Sequence, residues 1–244
     1  MLIYRFMSLT HGLDSLQSKR LHVGRLLELN DPYDCQPVLS NIPEDVASVR
    51  QSFESGFLST FERLLGVVSH SATAEDPVVW SHYADHHRGL AFAFEFTNPA
   101  AIANLLEFVP LEQRLVEVEY GLTRAAIDAA ELIRLQKEHN TAELFRMMAQ
   151  AFSKKALSWS YEKEYRQFIP LDLCAPSGSH YFVAFPENRL RSVILGERCN
   201  IGIQDVERTL RHANYPEAVT IHRAELHPER YEMNIVPPLE RGPG

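Results

Sequence analysis

The stretch DPVVWSHYADHHRGLAFAFEF, residues 76–96, contains the two patterns that decide the fold class. Its Asp-Pro start is typical of a helix N-terminus, and Gly89 is a typical helix stop. Residues 90–96 then place an apolar side chain at every second position, which is the period of a β-strand. A short helix followed directly by a strand predicts a chain of mixed elements.

The same mixture extends in both directions from this stretch. Strands are predicted at residues 2–6, 20–23, 66–71, 115–120, 158–170, 180–185, 191–196, 218–226 and 231–236. Further helices are predicted at residues 10–19, 41–65, 99–108, 124–138, 141–153 and 203–213. Because these elements show no regular βαβ alternation, we predict one α+β domain over residues 1–236. Its sheet should be mixed and mostly antiparallel with flanking helices, and residues 237–244 should form a disordered tail.

Composition narrows the functional classes. The chain has 244 residues and a formal net charge of -8, which disfavours a broad basic surface for nucleic acid but not a small basic cleft. Its three cysteines have no CxxC spacing, so neither a disulfide framework nor a zinc ribbon is expected. No signal peptide or long apolar run is recognisable. We therefore expect a cytoplasmic protein without a membrane partner; the oligomeric state is not indicated.

The stretch SWSYEKEYRQFIP, residues 158–170, places charged side chains between aromatic ones. On a strand, Glu162, Glu164 and Arg166 would share one face. Two neighbouring carboxylates can raise the pKa of one of them, which suits acid–base chemistry. The alternative is an exposed ladder of ion pairs that contributes little to stability.

Three other segments carry candidate functional residues. On a helix, His82 and His86 are four residues apart and could bind a metal, but no third ligand is obvious nearby. In the loop LNDPYDCQP, Asp31 and Asp34 could bind a cation or a ribose hydroxyl, or could serve only the turn. Arg5 lies in an otherwise apolar first strand, so it either faces solvent or binds a phosphate or carboxylate in a cleft.

The motifs, taken in order, resemble a known family. YRF, LNDPYDC, VVWSHYADHHRGLAFAF, VEY, KKALSWSYEKEYR and VILG are similar to the bacterial domain-of-unknown-function family numbered 2971, over about residues 2–200. That family has no settled activity, so the resemblance implies more about the fold than about the function.

A looser similarity links the chain to the ADP-ribosyltransferase superfamily, and implies an ADP-ribosyltransferase-like fold. Those enzymes place a basic residue or a histidine on a first strand, a serine or tyrosine on a second, and a glutamate on a later one. The matching residues here are Arg5, then Ser81 or Tyr83, then Glu164, with Glu162 as the preceding acid. The sequence has no clear Ser-Thr-Ser strand, so the middle residue has two candidates.

This similarity implies NAD as the substrate and catalytic roles for Glu164, Glu162 and Tyr83. Glu164 would hold the ribose 2′-hydroxyl and stabilise positive charge that develops on the ribose. Glu162 would orient or deprotonate the acceptor. Arg5 would clamp the pyrophosphate, and Tyr83 or Trp80 would stack on the nicotinamide. The implied cofactor-binding residues are Arg5, Tyr4, Asn30, Asp31, Trp80, Ser81, His82 and Arg166, and no metal is included.

We therefore expect an ADP-ribosyltransferase-like enzyme, such as a bacterial toxin or a phage-defence effector, that modifies nucleic acid or protein. Two alternatives stay open. One is a noncatalytic domain that senses a ligand or mediates an interaction. The other is a metal-dependent hydrolase or nuclease built from Asp31, Asp34, His82 and His86.

Overall fold

The computed structural model describes residues 1–43, 50–96 and 115–237, with side chains of the segment after residue 50 described from residue 55 onward. The predicted helix at 99–108 lies outside these residues. So do residues 44–49 of the helix predicted at 41–65 and residues 238–244 of the predicted tail.

The described elements alternate between strands and helices without a regular repeat. The strands are β1 (Leu2–Met7), β2 (Arg20–Arg25), β3 (Val38–Ser40), β4 (Leu65–Ser71), β5 (Leu90–Glu95), β6 (Val116–Glu117), β7 (Glu119–Gly121), β8 (Ala126–Asp128), β9 (Lys154–Ala156), β10 (Glu164–Pro170), β11 (Ala175–Ser177), β12 (His180–Ala184), β13 (Leu190–Leu195), β14 (Thr220–Leu226) and β15 (Met233–Val236). The α-helices are α1 (Leu9–Ser18), α2 (Arg50–Leu64), α3 (Pro77–Tyr83), α4 (Ala129–Lys137), α5 (Thr141–Ala151) and α6 (Ile203–His212). Short 3-10 helices span Leu26–Glu28, Leu157–Glu162, Leu171–Leu173 and Glu187–Arg189.

These elements confirm the predicted α+β class with a mostly antiparallel sheet. No helix within the three described ranges combines the length and the apolar character needed to cross a membrane.

Polar caps explain several of the helix boundaries. The Asp76 carboxylate accepts hydrogen bonds from the first backbone N–H groups of α3, as its Asp-Pro start predicts. Asn140 caps α5 in the same way. Asp128 caps α4, and this helix therefore begins at Ala129, five residues after the predicted start at residue 124. The cap of α1 is Ser8 rather than a residue at the predicted start.

The segment 158–170 corrects one prediction, because it is not a continuous strand. Leu157–Glu162 form a 3-10 helix, and Lys163 then takes a left-handed conformation with φ 44°. The strand β10 begins only at Glu164. Glu162 and Glu164 therefore do not share a strand face, and any approach between their side chains depends on this turn.

A gap beside β4 decides where a ligand could enter. On one edge, β10 pairs with the whole of β4. The opposite edge is shared by two strands: β1 pairs with Ser71 and β2 pairs with Gly66 and Val67. The backbone of residues 68–70 thus has a paired strand on only one side within the described sheet. The sheet opens at this point into a cleft.

Buried apolar side chains hold the strands beside this gap in place. Trp80 is fully buried in the cluster that joins α3 to β1 and β5, with its ring edge-to-face against Phe6 at 4.9 Å between centroids. The Trp80 indole Nε1–H donates to the Ala74 carbonyl at 2.7 Å. Truncation of such a core aromatic costs about 3–5 kcal/mol. This packing fixes α3, and with it the position of Tyr83 at the end of that helix.

Candidate functional site

A cleft of about 540 Å³ lies at the gap between β1 and β2. This volume is within the usual range for a small-molecule site. Its polar lining divides into two parts, which we call the acidic wall and the histidine wall. The acidic wall comprises Glu162, Glu164, Lys155 and Tyr83. The histidine wall comprises His11, His22, His180 and Phe182. Arg5, Tyr4, Asn30 and His82 also line the cleft.

The two carboxylates of the acidic wall meet at one ammonium group. Lys155 Nζ lies 2.6 Å from Glu162 Oε2 and 3.3 Å from Glu164 Oε2. The turn at Lys163 brings the two glutamates to the same cation although they lie in different elements. All three of the ionised side chains are almost completely buried. The two glutamates therefore converge as predicted, through a lysine that was not among the predicted site residues.

Arg166 anchors this wall from behind. Its Nε and Nη2 donate to the two oxygens of Glu164, each at 2.8 Å. Its Nη1 and Nη2 donate to the two oxygens of Asp34, each at 2.7 Å. The remaining Nη1 proton goes to the Phe152 carbonyl at 2.5 Å. All five donors are thus used. Arg166 is 1% exposed and does not line the cleft, so its predicted role in binding the cofactor is wrong.

The environment separates the pKa values of the two glutamates. Burial raises the pKa of Glu162, and Lys155 only partly offsets this. Burial acts in the same direction on Glu164, but the Arg166 guanidinium outweighs it and lowers the pKa of Glu164 to about 2. Paired carboxylates with opposite shifts are typical of sites where one stays ionised while the other exchanges a proton.

Tyr83 extends the acidic wall into the cleft. Its hydroxyl donates a short hydrogen bond to Glu162 Oε1 and accepts one from Asn30 Nδ2 at 3.1 Å. Burial and the adjacent Glu162 raise the pKa of Tyr83, so the phenol remains a neutral donor. Tyr83 and Asn30, two of the residues predicted for the site, therefore lie beside Glu162.

Arg5 and two serines fill the gap in the sheet. Arg5 Nη1 donates to the Ser69 carbonyl at 2.7 Å, at the edge of β4 that carries no strand. The Ser69 hydroxyl donates to Glu164, and the Ser71 hydroxyl donates to the Glu162 carbonyl at 2.6 Å. Arg5, Tyr83 and Glu164 thus line one cleft, and Ser69 and Ser71 complete it.

Ser69, Ser71 and Lys155 were not predicted to belong to the site. The available signal for the serines was the alternation Ser-His-Ser at the end of GVVSHS, which places two hydroxyls on one face of a strand. Lys155 follows another lysine directly, and only the buried neighbours distinguish it from Lys154.

Three further predicted binding residues do not reach the cleft. Trp80 is enclosed in the core, so it cannot stack on a ligand. Ser81 is on α3 but does not line the cleft. Asp31 lies in a separate pocket, where its carboxylate accepts the Tyr33 N–H at 2.9 Å and closes the loop turn. These corrections have one cause: sequence position on a helix or loop does not decide which side faces the cleft.

Two of the residues suggested for a metal site bind other side chains of the protein. The Asp34 carboxylate pairs with Arg166, and His82 Nδ1 bonds the Tyr161 hydroxyl at 3.0 Å. Among residues 1–43, 50–96 and 115–237, no group of three or more His, Cys, Asp and Glu side chains could hold a metal ion. The metal alternative therefore has no ligand set in the described part of the chain.

The thiol of Cys35, in the same loop as Asp34, is a poor nucleophile, because burial raises its pKa.

Comparison with known proteins finds a match to one family model. Residues 79–167 match the family model described as "Protein of unknown function (DUF2971)". The resemblance to this family is confirmed. The matched segment contains the whole acidic wall, formed by Tyr83, Lys155, Glu162 and Glu164, together with its anchor Arg166. No curated protein and no solved structure matches the chain.

Proposed function

We propose that the cleft binds NAD and that the protein transfers ADP-ribose from it to a macromolecular acceptor, a nucleic acid or a protein. The observation that carries this proposal is the convergence of Arg5, Ser69 and Glu164 from the adjacent strands β1, β4 and β10. A basic residue, a serine and a glutamate in this order follow the superfamily pattern described above. Ser69 takes the middle position that Ser81 or Tyr83 was expected to hold.

The acidic wall suits the charge that such a reaction develops. The bond between the nicotinamide nitrogen and the ribose C1′ breaks, nicotinamide leaves with the bonding electron pair, and the ribose becomes positive. Glu164 would hold the ribose 2′-hydroxyl and stabilise that charge, because Arg166 keeps its carboxylate ionised and fixed.

Glu162 suits the remaining step. The acceptor nucleophile attacks C1′ and must lose a proton, and a carboxylate with a raised pKa is a better proton acceptor than Glu164. Tyr83 would hold the Glu162 carboxylate through its hydrogen bond, and of the two aromatic side chains expected to stack on the nicotinamide, Tyr83 is the one that lines the cleft. In this role the protein would work in the cytoplasm as a toxin or a phage-defence effector.

A noncatalytic ligand sensor is the second candidate. Glu164 is 4% exposed and both of its oxygens already accept hydrogen bonds from Arg166. Such a carboxylate could shape a binding cleft without entering a reaction. The two candidates differ in whether bound NAD is cleaved.

Labelled NAD incubated with the purified protein and a cell lysate tests the proposal. We expect nicotinamide release and transfer of label to an acceptor. Glu164→Gln should reduce both by about 10²–10³-fold, as for the loss of one electrostatic stabiliser of a transition state. Glu119→Gln is the matched control, because the Glu119 side chain is 76% exposed and does not line the cleft.

The outcomes separate the two candidates. Binding of NAD by calorimetry without nicotinamide release favours the sensor. If the protein neither binds NAD nor releases nicotinamide, NAD is neither its substrate nor its sensed ligand, and the proposal is contradicted. Circular dichroism of Glu164→Gln checks that the variant is folded, so that a loss of activity reports on the carboxylate.

A further inference from the structure

The histidine wall brings three imidazoles together from three elements. His11 comes from α1, His22 from β2 and His180 from β12. His22 Nε2 and His180 Nδ1 are 3.3 Å apart, so one ring donates a hydrogen bond to the other when both are neutral. The His22 ring also contacts Phe182 edge-on at 5.6 Å between centroids, and the Arg20 guanidinium lies over the Phe182 ring at 4.3 Å. The imidazole pair is therefore held by packing.

The hydrogen bond between the two rings leaves one nitrogen of each uncommitted. His22 Nδ1 and His180 Nε2 have no hydrogen-bond partner among the described residues. Both residues line the cleft. Two imidazole nitrogens at a ligand-sized opening can donate to an anion once the pair carries an additional proton.

Arg5 adds a cation with spare donors next to this pair. Of its five N–H groups, only Nη1 has a partner in the described chain, the Ser69 carbonyl. Its Nε is buried and has no hydrogen-bond partner in the described chain. Arg5 lines the cleft, and a guanidinium with unused N–H groups is suited to binding an anionic oxygen there. The Arg5 charge is felt at His22, where it lowers the pKa of the imidazole after the larger effect of burial.

We propose that Arg5, His22 and His180 form an anion site for the diphosphate of the ligand in the cleft, and that the imidazole pair takes up a proton when the diphosphate binds. The identification of the ligand as NAD rests on the proposed function, whereas the anion site rests only on these three side chains. The site would place the phosphates on the histidine wall and leave the nicotinamide ribose for the acidic wall.

The charges around His22 explain why the proton arrives with the ligand. Burial lowers the pKa of His22, and Arg5, His180 and His11 lower it further, whereas Glu28 acts in the opposite direction. The Asp14 carboxylate also lines the cleft. Before binding, this environment favours the neutral form of His22. Two negative charges of a diphosphate beside it favour the imidazolium form, so binding and protonation are linked.

Calorimetry with ADP-ribose tests this site without any turnover. ADP-ribose is a suitable probe because its diester diphosphate keeps its charge across the neutral pH range. We expect binding to take up close to one proton, measured from the dependence of the binding enthalpy on the ionisation enthalpy of the buffer. As the pH rises, the affinity for ADP-ribose should fall about tenfold per pH unit over the range in which the imidazole pair is neutral in the free protein and charged in the complex. Adenosine, which has no phosphate, should bind weakly and without proton uptake.

Two variants and a control make the assignment specific. His22→Gln and His180→Gln should each lose proton uptake and at least about tenfold in affinity for ADP-ribose, since a charge-assisted hydrogen bond is lost. His212→Gln should bind as the unchanged protein does, because His212 is exposed at the end of α6. Thermal unfolding of the variants confirms that they are folded.

The failure of this proposal can be told from the failure of the proposed function. ADP-ribose binding without proton uptake, or unchanged in both cleft histidine variants, overturns the anion site even if NAD is cleaved. Adenosine binding as tight as ADP-ribose binding overturns it as well. Linked proton uptake that is lost in both variants supports the anion site even if NAD is never cleaved.

Discussion

The two walls of the cleft differ in how far their ionisable groups are buried and paired. On the acidic wall every ionised group is buried and has a partner of opposite charge, with Arg166 donating all five of its N–H groups. On the histidine wall His11 and His180 are exposed and His22 is half-buried. The His22 and His180 rings share one hydrogen bond. Arg5 lies between the walls and uses one donor.

This difference indicates a division of work within one cleft. Fixed, compensated charges do not rearrange when a reaction develops charge, which is the requirement for electrostatic stabilisation. Partly solvated imidazoles change protonation readily, which is the requirement for a site that responds to a ligand. The acidic wall should therefore contribute to the stability of the folded protein, whereas the histidine wall should contribute to binding.

The largest expected effect is that of Arg166→Met. Removal of the guanidinium leaves the buried carboxylates of Asp34 and Glu164 without their main partner, which costs about 3–5 kcal/mol of unfolding free energy. Urea denaturation monitored by circular dichroism measures the change. The matched control is Arg134→Met, whose side chain is 52% exposed and paired with two surface glutamates, and it should change stability by under about 1 kcal/mol. Equal losses in the two variants would contradict the structural role of the acidic wall.

A buried histidine gives the second largest effect and contrasts with the exposed imidazoles. His70 packs between Phe94 and Phe96, and burial lowers its pKa to about 3. Below the unfolded-state pKa of 6.5 the unfolded chain takes up a proton that the folded protein does not, so stability falls as the pH falls. From pH 7 to pH 5 this amounts to about 2 kcal/mol at 1.36 kcal/mol per pKa unit.

His70→Gln should remove the contribution of about 2 kcal/mol, because glutamine does not titrate, whereas the contribution of His22, whose pKa burial also lowers, should remain. Unfolding free energies at pH 7 and pH 5 measure it, and this window lies above the range in which Glu164 is protonated in the folded protein. His212→Gln is the control and should leave the difference between the two pH values unchanged. An undiminished pH dependence in His70→Gln would show that His70 does not contribute to it.

Tyr83→Phe should have a smaller effect and tests the coupling within the acidic wall. Loss of the hydroxyl removes a hydrogen bond to Glu162, so stability should fall by about 1 kcal/mol and the pKa of Glu162 should rise further. A carboxyl-carbon NMR titration of Glu162 measures the second change. Tyr161→Phe is the matched control, because the Tyr161 hydroxyl bonds His82 instead. A Glu162 titration curve that does not move in Tyr83→Phe would contradict the coupling.

The contrast between the walls also explains what the sequence could predict. Local patterns identified the helix and strand at residues 76–96, and alternation around Glu164 identified the strand β10. The partner of those carboxylates could not be predicted, since Lys155 reaches them only through the turn at Lys163. A local sequence pattern predicts whether a segment is a helix or a strand, but it does not predict which face of that element a distant strand will cover.

The histidine wall shows the same limit more clearly. His22 and His180 are separated by most of the chain, and they meet because β12 pairs with β2 in antiparallel register. Neither residue belongs to a recognisable motif. Ser69 likewise gains its role from the gap between β1 and β2, which is a property of the sheet and not of the residues around it.

The smallest expected effect is that of His180→Gln on stability, and it completes the contrast between the walls. His180 is exposed and shares a single hydrogen bond with His22, so the unfolding free energy at pH 7 should change by no more than about 0.5 kcal/mol. Urea denaturation under the conditions used for Arg166→Met measures it. If the histidine wall is built for ligand response, the variant that binds ADP-ribose poorly is also the one whose fold is least disturbed. A loss above about 2 kcal/mol would instead make the imidazole pair part of the structural framework, and the two walls would then differ in exposure but not in role.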